Sequence, residues 1–135
     1  MKTKLPFLLL FIAIILIFMQ QQRIDSLKTS IGSTYQIQIR EVINATSNFE
    51  ITGDHMIDDE LFTSLTMYSL QLDRIPNADV KSVAASLSEL AIAIKQPYID
   101  LAAENNKISE IHKKLSTINE EIADDPKQWY KMLHE

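Results

Sequence analysis

The stretch of the chain richest in groups able to do chemistry is DHMIDDE, residues 54–60, which places four carboxylates and one imidazole within seven residues. Carboxylate oxygens are the ligands that Ca²⁺ and similar hard cations prefer in proteins. Asp54, His55, Asp58 and Asp59 are therefore candidate metal ligands. The stretch lacks the alternating ligand spacing and central glycine of an EF-hand loop. We favour a structural interpretation, in which Asp58 or Asp59 caps a helix whose first turn favours negative charge.

Other kinds of catalytic or cofactor site find little support in the sequence. The chain has no cysteine, which excludes thiolate catalysis, cysteine-linked haem and iron–sulfur clusters. It has no glycine-rich phosphate loop. His55, His112 and His134 are far apart, and the acidic pairs at 120–121 and 124–125 are sequence neighbours, which do not face one another on a helix. We therefore predict a protein that is not an enzyme and has no cofactor.

The charge of the chain argues against two kinds of ligand. Beyond Met19 there are 18 acidic residues and 11 lysines and arginines, a net charge of −7, and the acidic residues are spread along the chain. Nucleic-acid binding requires a basic surface, so we predict no nucleic-acid partner. The same balance argues against an anionic membrane surface as the main ligand.

The beginning of the sequence is typical of a segment directed to a membrane. Two lysines within the first four residues precede the uncharged apolar run Leu5–Met19. A cleaved signal peptide also needs small residues just after such a run, whereas residues 20–23 are large and the first suitable pair is Ser30 with Gly32. We therefore favour an uncleaved anchor that contacts the membrane through residues 5–22. A cleaved signal peptide is the alternative.

The length of the apolar run is short for a membrane span but sufficient. Fifteen helical residues reach about 22 Å, and adding residues 20–22 gives about 27 Å, against a hydrocarbon core of about 30 Å. Lys4 and Arg23 can extend their charged groups to the two interfaces. With the short tail inside, residues 1–22 form a transmembrane anchor. Residues 23–135 then form a domain outside the cytoplasm of a single-pass protein of the cell membrane.

The remaining chain has a composition that favours long helices. Only two glycines and four prolines are present, too few turn-forming residues for an all-β fold. Apolar residues recur every three or four positions after the anchor, which predicts a helix that could continue the membrane span. This stripe consists of Ile24, Leu27, Ile31, Tyr35, Ile39, Val42, Thr46 and Phe49. The alternation in YQIQI, residues 35–39, leaves a strand as the rival interpretation, and Gly53 is expected to end the helix.

Three further helices with apolar stripes are predicted. The second begins at Asp58 or Asp59 and ends before RIPNAD, residues 74–79. The third is ended by Pro97. The fourth carries apolar residues at alternating intervals of three and four, the spacing of a heptad seam, although Asn105 and Asn106 could interrupt its upstream part. The seam consists of Ile108, Ile111, Leu115, Ile118 and Ile122.

A short final helix is predicted at the end of the sequence. Asp125 fits its N-cap and Pro126 its first position. Trp129, Met132 and Leu133 share one face of this helix. That face either closes the core or serves as an anchor for a partner or a membrane interface, since tryptophan is favoured in each setting.

Together these features predict an all-α protein in which a membrane-anchoring helix precedes a small antiparallel bundle of about four helices. The predicted function is that of a protein-interaction or structural module, which binds a protein partner or associates with itself. The alternative is a ligand-binding sensor domain that works with a separate signalling protein. An exposed apolar groove would favour the interaction module, and an exposed pocket with converging polar groups would favour the sensor.

Overall fold

A computed structural model describes residues 4–122 and 124–134 of the chain. Within these residues all regular structure is helical, and the all-α prediction is confirmed. The five helices are α1 (Lys4–Thr46), α2 (His55–Asp73), α3 (Ala78–Ile94), α4 (Leu101–Glu121) and α5 (Pro126–His134).

The strand interpretation of residues 35–39 is wrong, because these residues lie within α1. A strand would place Ile37 and Ile39 on the same face. The structure instead leaves Ile37 62% exposed and Ile39 fully buried, as the helical period requires. The stripe on either side of the segment therefore determines its conformation more strongly than the local alternation does.

Helix α1 has two parts with different surroundings. Up to Met19 every large apolar side chain is at least 42% exposed. From Gly32 to Thr46 the helix contributes buried residues to the bundle. The predicted stripe is therefore covered only in its second part, and Ile24 and Leu27 remain exposed. The 43 residues of α1 form one uninterrupted helix about 64 Å long, which joins the two parts rigidly.

The bundle consists of the second part of α1 with α2, α3 and α4. Each helix packs against the next in the order α1, α2, α3, α4, and α4 packs back against α1. The connections at 47–54, 74–77 and 95–100 are short, so consecutive helices are antiparallel. Helices α2 and α3 have the most extensive contact, while α3 and α4 meet over a smaller one. The core includes Ile39, Val42, Leu65, Leu72, Ile75, Val80, Leu87, Leu90, Ile111 and Leu115.

Two predicted helix boundaries are wrong. Helix α2 begins at His55 with Asp54 as its N-cap, so neither Asp58 nor Asp59 caps it. Gly53 does not end α1, which stops at Thr46. Gly53 instead lies in the following connection with φ 83°, a left-handed conformation that glycine adopts easily. Several neighbouring aspartates have the right chemistry for a cap, and the path of the connection selects Asp54 among them.

Helix α4 is continuous through Asn105 and Asn106, so the predicted interruption is absent from the described residues. Asn105 faces the connection before α2. Its side chain accepts a hydrogen bond from the Ile51 amide at 2.8 Å and donates one to the Ile51 carbonyl at 3.1 Å. The asparagine therefore satisfies a non-helical backbone segment, and the heptad seam is buried at Ile108, Ile111 and Leu115.

The predicted start of α5 is confirmed. The helix begins at Pro126, and the Lys127 amide donates to the Asp125 carboxylate at 3.1 Å. The Trp129 amide donates to the Asp125 carbonyl at 3.3 Å. Helix α5 packs against α1 and closes the end of the bundle nearest the exposed part of α1.

Candidate functional site

The acidic stretch at 54–60 forms the start of α2. The Asp54 carboxylate accepts a hydrogen bond from the Met56 amide at 2.9 Å, as an N-cap does. The Asp58 carboxylate is nearly buried and turns back to the preceding connection, where it accepts from the Thr52 amide at 3.0 Å and the Gly53 amide at 2.9 Å. These two candidate ligands thus hold the connection against the helix.

Asp59 faces another direction and pairs with Lys95 at the end of α3. The hydrogen bond and positive charge of Lys95 lower the pKa of Asp59 below its usual range. His55 is exposed. Within the described residues no three histidine or acidic side chains are grouped as metal ligands would be. The arrangement of the stretch therefore suits helix capping and an ion pair, and it does not converge on a common point.

The closest backbone contact between α1 and α5 is at Gly32. A Cβ atom placed on Gly32 would lie 1.8 Å from the Pro126 carbonyl oxygen and 3.0 Å from the Tyr130 nitrogen. No larger residue fits unless α5 moves. Gly32 therefore forms a notch in α1 that receives the first turns of α5, and it fixes the position of α5 along α1.

Arg40 links three segments above this notch. Its guanidinium pairs with the Asp124 carboxylate, and its Nε donates to the Asn119 side chain at 3.1 Å. The same guanidinium lies 6.0 Å from the centre of the Trp129 ring, close enough for a cation–π interaction. One side chain of α1 thus contacts α4, the connection after α4, and α5.

A group of rings surrounds the other end of α5. The Tyr35 hydroxyl lies 3.1 Å from His134 Nδ1, and the His134 ring stacks on Tyr130 with centres 4.5 Å apart. Lys28 Nζ lies 5.6 Å from the centre of the Tyr130 ring. Burial, followed by the nearby Tyr130, raises the pKa of Tyr35 above its usual range. These contacts seal the α1–α5 interface with aromatic surface.

The three residues predicted as a possible interaction face divide between core and surface. Trp129 and Leu133 are 0% and 2% exposed, whereas Met132 is 51% exposed. The burial of Trp129 agrees with the account in which this face closes the bundle. Its Nε1 is buried and has no hydrogen-bond partner within the described chain. Met132 is the member of this set that remains accessible to another molecule.

A groove between α3 and α4 is the main concave surface that the sequence did not indicate. It encloses about 460 Å³, has a mainly apolar lining and carries charged residues at its edges. The lining residues are Asp79, Ser82, Val83, Glu110, Lys113, Lys114, Thr117, Ile118 and Glu121. A second cavity of about 210 Å³, which shares Glu110 and Lys114, extends the groove towards Ser86. In the sequence, the small side chains of Ser82 and Ser86, four positions apart on α3, could have indicated this groove.

A polar cavity of about 520 Å³ lies between the end of α1 and α4. His112 Nδ1 lies 2.9 Å from the Thr46 hydroxyl. Asn105 also lines this cavity but bonds the Ile51 backbone. Several polar groups that line this cavity are therefore already hydrogen-bonded within the chain.

Comparison with known proteins does not assign a function to the chain. No family model, curated protein or solved structure matches the chain. Among the described residues, α1 is the one helix long and apolar enough to cross a membrane. The geometry thus defines a helical bundle that shares a rigid helix with an apolar N-terminal segment and has a groove between α3 and α4.

Proposed function

We propose that this protein is a single-pass membrane protein whose helical bundle, residues 23–135, acts outside the cytoplasm as a protein-interaction module. The observation that carries the proposal is the exposed apolar part of α1. Thirteen large apolar side chains between Leu5 and Met19 are uncovered. Full burial of such a side chain is worth about 1.5–3 kcal/mol, and these are roughly half exposed, so leaving them in water would cost on the order of 10–20 kcal/mol, a cost that a bilayer removes.

The path of α1 supports an anchor that is retained. The small-x-small pair at Ser30 and Gly32 lies within α1, and Gly32 forms the notch for α5. Cleavage after Gly32 would remove Lys28 and divide the surface on which α5 packs. No proline or glycine interrupts residues 20–31, so the helix connects the membrane segment directly to the bundle.

Two measurements test the anchor and its orientation. The protein should remain with membranes after alkaline extraction, and its intact mass should include the apolar run. A mature terminus between Gln20 and Ser33 would contradict the anchor. Since the chain has no cysteine, Tyr98→Cys should react with an impermeant maleimide in intact cells, whereas Lys2→Cys should react only after permeabilisation. The opposite pattern would reverse the orientation.

The groove between α3 and α4 is the surface that favours interaction with another protein. Ser82 and Ser86 allow a partner's backbone to come close, and the half-buried Ile118 supplies an apolar contact. The charged residues along its edges suit an amphipathic helix laid into the groove. An apolar groove of this kind is the feature that distinguishes an interaction module from a small-ligand sensor.

Filling the groove provides the test. Ser86→Trp should reduce the mass of the complex extracted from membranes with mild detergent, because the indole would occupy the partner's place. Thr66→Trp, on the exposed side of α2, is the matched control and should leave the complex intact. Both variants should melt close to the parent protein. An unchanged complex in the folded Ser86→Trp protein would contradict the groove as the contact.

The polar cavity beside His112 supports the alternative, a sensor domain that binds a small ligand and acts with a separate signalling protein. His112, Ser109 and Asn48 contribute polar groups to it. A ligand found by thermal-shift screening should lose its stabilising effect in His112→Ala and keep it in Ser86→Trp. The reverse pattern would assign the ligand to the groove instead.

A further inference from the structure

We propose that the outer face of α5 and the neck of α1, residues 20–31, rest on the anionic phospholipid headgroups of the membrane that holds α1. This inference depends on the proposed anchoring and adds a second contact to it. The outer face consists of Lys127, Gln128 and Lys131, all exposed. Three features indicate that this face contacts the lipid surface. They are the direction of the face, its height above the membrane span, and the exposed apolar side chains of the neck below it.

The outer face of α5 points towards the membrane segment of α1. The buried face of α5 points the other way, since the Trp129 ring lies near the Arg40 guanidinium and packs in the core with Ile39. At 100° per residue, Lys127 and Lys131 lie roughly 160–200° around the helix from Trp129. Their side chains therefore leave α5 on the side opposite the core, where α1 continues towards Met19.

The height of this face matches the thickness of the headgroup layer. Contact at Gly32 fixes α5 at 10 residues beyond Gln22, the end of the anchor, about 15 Å along an upright α1. Subtracting about 2–3 Å from the axis of α5 to its backbone and about 5–7 Å for the headgroup layer leaves roughly 5–8 Å. A lysine side chain extends by about 6 Å, and a tilt of about 20° lowers the bundle further. The ammonium groups thus reach the phosphates.

The neck has apolar side chains at the depth of the membrane interface. Ile24 and Leu27 are 44% and 62% exposed and lie on the same stripe of α1 as Ile39. They stand about 7–12 Å beyond Met19 along the helix, below α5. A leaning of α1 towards its bundle would cover both with lipid.

The outer face of α5 and the neck carry a positive balance of charge, with Arg23, Lys28, Lys127 and Lys131 against Asp25. Asp73, Asp79, Glu120 and Glu121 lie at the same end of the bundle, so the favourable charge is confined to this face and the neck. Lys28 lies over the Tyr130 ring on the same side as α5, and Lys127 and Lys131 are exposed. Asp125, the carboxylate nearest to Lys127 in sequence, accepts the Lys127 amide as an N-cap. The bundle is acidic as a whole, so the attraction to headgroups is confined to this face. The contact therefore sets the tilt of the bundle, while α1 alone holds the protein in the membrane.

Site-directed spin labelling of the full chain in nanodiscs tests the contact. Single cysteines would replace Gln128 on the outer face, Tyr98 at the far end of the bundle and Phe11 in the apolar run. With headgroup-chelated Ni²⁺ in mixed phosphatidylcholine and phosphatidylglycerol, the Gln128→Cys label should relax strongly and the Tyr98→Cys label weakly. The Phe11→Cys label should be accessible to oxygen and shielded from water-soluble reagents.

The outcomes separate this inference from the proposed anchoring. A shielded label at position 11 with equally weak relaxation at positions 128 and 98 would overturn the headgroup contact and leave the anchor standing. A water-accessible label at position 11 would overturn the anchor, and the headgroup contact with it.

Charge reversal tests which residues make the contact. Lys127→Glu with Lys131→Glu should reduce the population in which α5 contacts the headgroups, relative to the population in which it does not. We expect a reduction of about fivefold or more in membranes that contain phosphatidylglycerol. Lys95→Glu with Gln96→Glu, at the far end of the bundle, changes the charge by three units against four and should leave the position-128 signal unchanged. Both pairs lie on exposed positions and should melt near the parent. Equal reduction by both pairs would assign the effect to net charge and overturn the role of α5.

Discussion

The α1–α5 interface and the α3–α4 interface differ in how closely their helices approach. At the first, Gly32 lets α5 come so near that a single added carbon would overlap the Pro126 carbonyl. At the second, a mainly apolar groove of about 460 Å³ remains open between the helices. The contrast indicates that the chain closes the end of the bundle nearest the apolar segment and leaves a lateral surface available to a partner.

This difference has a consequence for how the bundle is supported. A short helix of nine residues is marginal on its own, so α5 depends on the surface of α1 to remain folded. The α3–α4 contact can stay open because α3 also packs against α2, and α4 also packs against α1. Substitutions at the α1–α5 interface should therefore affect stability, and substitutions in the groove should affect binding.

Truncation of Trp129 should produce the largest effect. Trp129→Ala removes a fully buried indole from beneath Arg40 and should destabilise the bundle by about 3–5 kcal/mol. Thermal unfolding of the anchored protein in detergent would measure this, and the parent should show the blue-shifted emission of a buried tryptophan. Met132→Ala, half-exposed on the same helix, is the control and should cost much less. A water-exposed emission spectrum in the folded parent would contradict the closed α1–α5 interface.

The two sides of α4 offer the next comparison. Leu115 is fully buried, whereas Lys114, its neighbour, lies at the groove. Leu115→Ala should cost about 2–5 kcal/mol, and Lys114→Ala less than about 0.5 kcal/mol. Melting curves of both variants would measure the difference. Equal costs would mean that the heptad seam is not the core side of α4, and a cost that varies with protein concentration would indicate a seam shared by two chains.

Adding one methyl group at each interface contrasts close packing with open space. Gly32→Ala would force α5 away from α1 and should cost about 1–3 kcal/mol, because overpacking moves the backbone. Ser82→Thr, which adds one methyl group in the groove, should stay within about 0.5 kcal/mol of the parent. Backbone amide exchange should show faster exchange in α5 of the first variant alone. Normal protection of α5 in Gly32→Ala would contradict the notch.

Features determined by nearby residues could be predicted from the sequence. The Asp125–Pro126 start of α5 and the seam of α4 depend on spacing within one helix, and both are found in the structure. The helical state of residues 35–39 also followed from the stripe, although the expected end of α1 at Gly53 was wrong, since α1 stops at Thr46.

Features that depend on distant partners could not be predicted. Gly32 reads as an ordinary glycine until Pro126, 94 positions later, is placed against it. Asn105 resembles a helix breaker until its bonds to the Ile51 backbone are known. The choice of Asp54 as cap, and the groove between α3 and α4, likewise follow from how the connections and helices are arranged in space.

The smallest expected effect concerns the ion pair between Asp59 and Lys95, which like the Arg40–Asp124 pair beside α5 is exposed to solvent. Lys95 holds the pKa of Asp59 below its ordinary value of 3.8. A carboxyl whose pKa is lowered on folding stabilises the protein above its unfolded pKa, and this contribution is lost as the pH falls through the folded pKa.

Because Asp59 is exposed, the contribution of this pair to stability should be small and should weaken in high salt. A carboxyl-carbon NMR titration should report a lowered pKa for Asp59 in the parent and a return towards the ordinary value in Lys95→Ala. Lys81→Ala, which removes the pair with Asp73, is the control and should leave the Asp59 titration unchanged. An ordinary pKa for Asp59 in the parent would mean that α2 and the end of α3 are held together by their apolar packing without help from this pair.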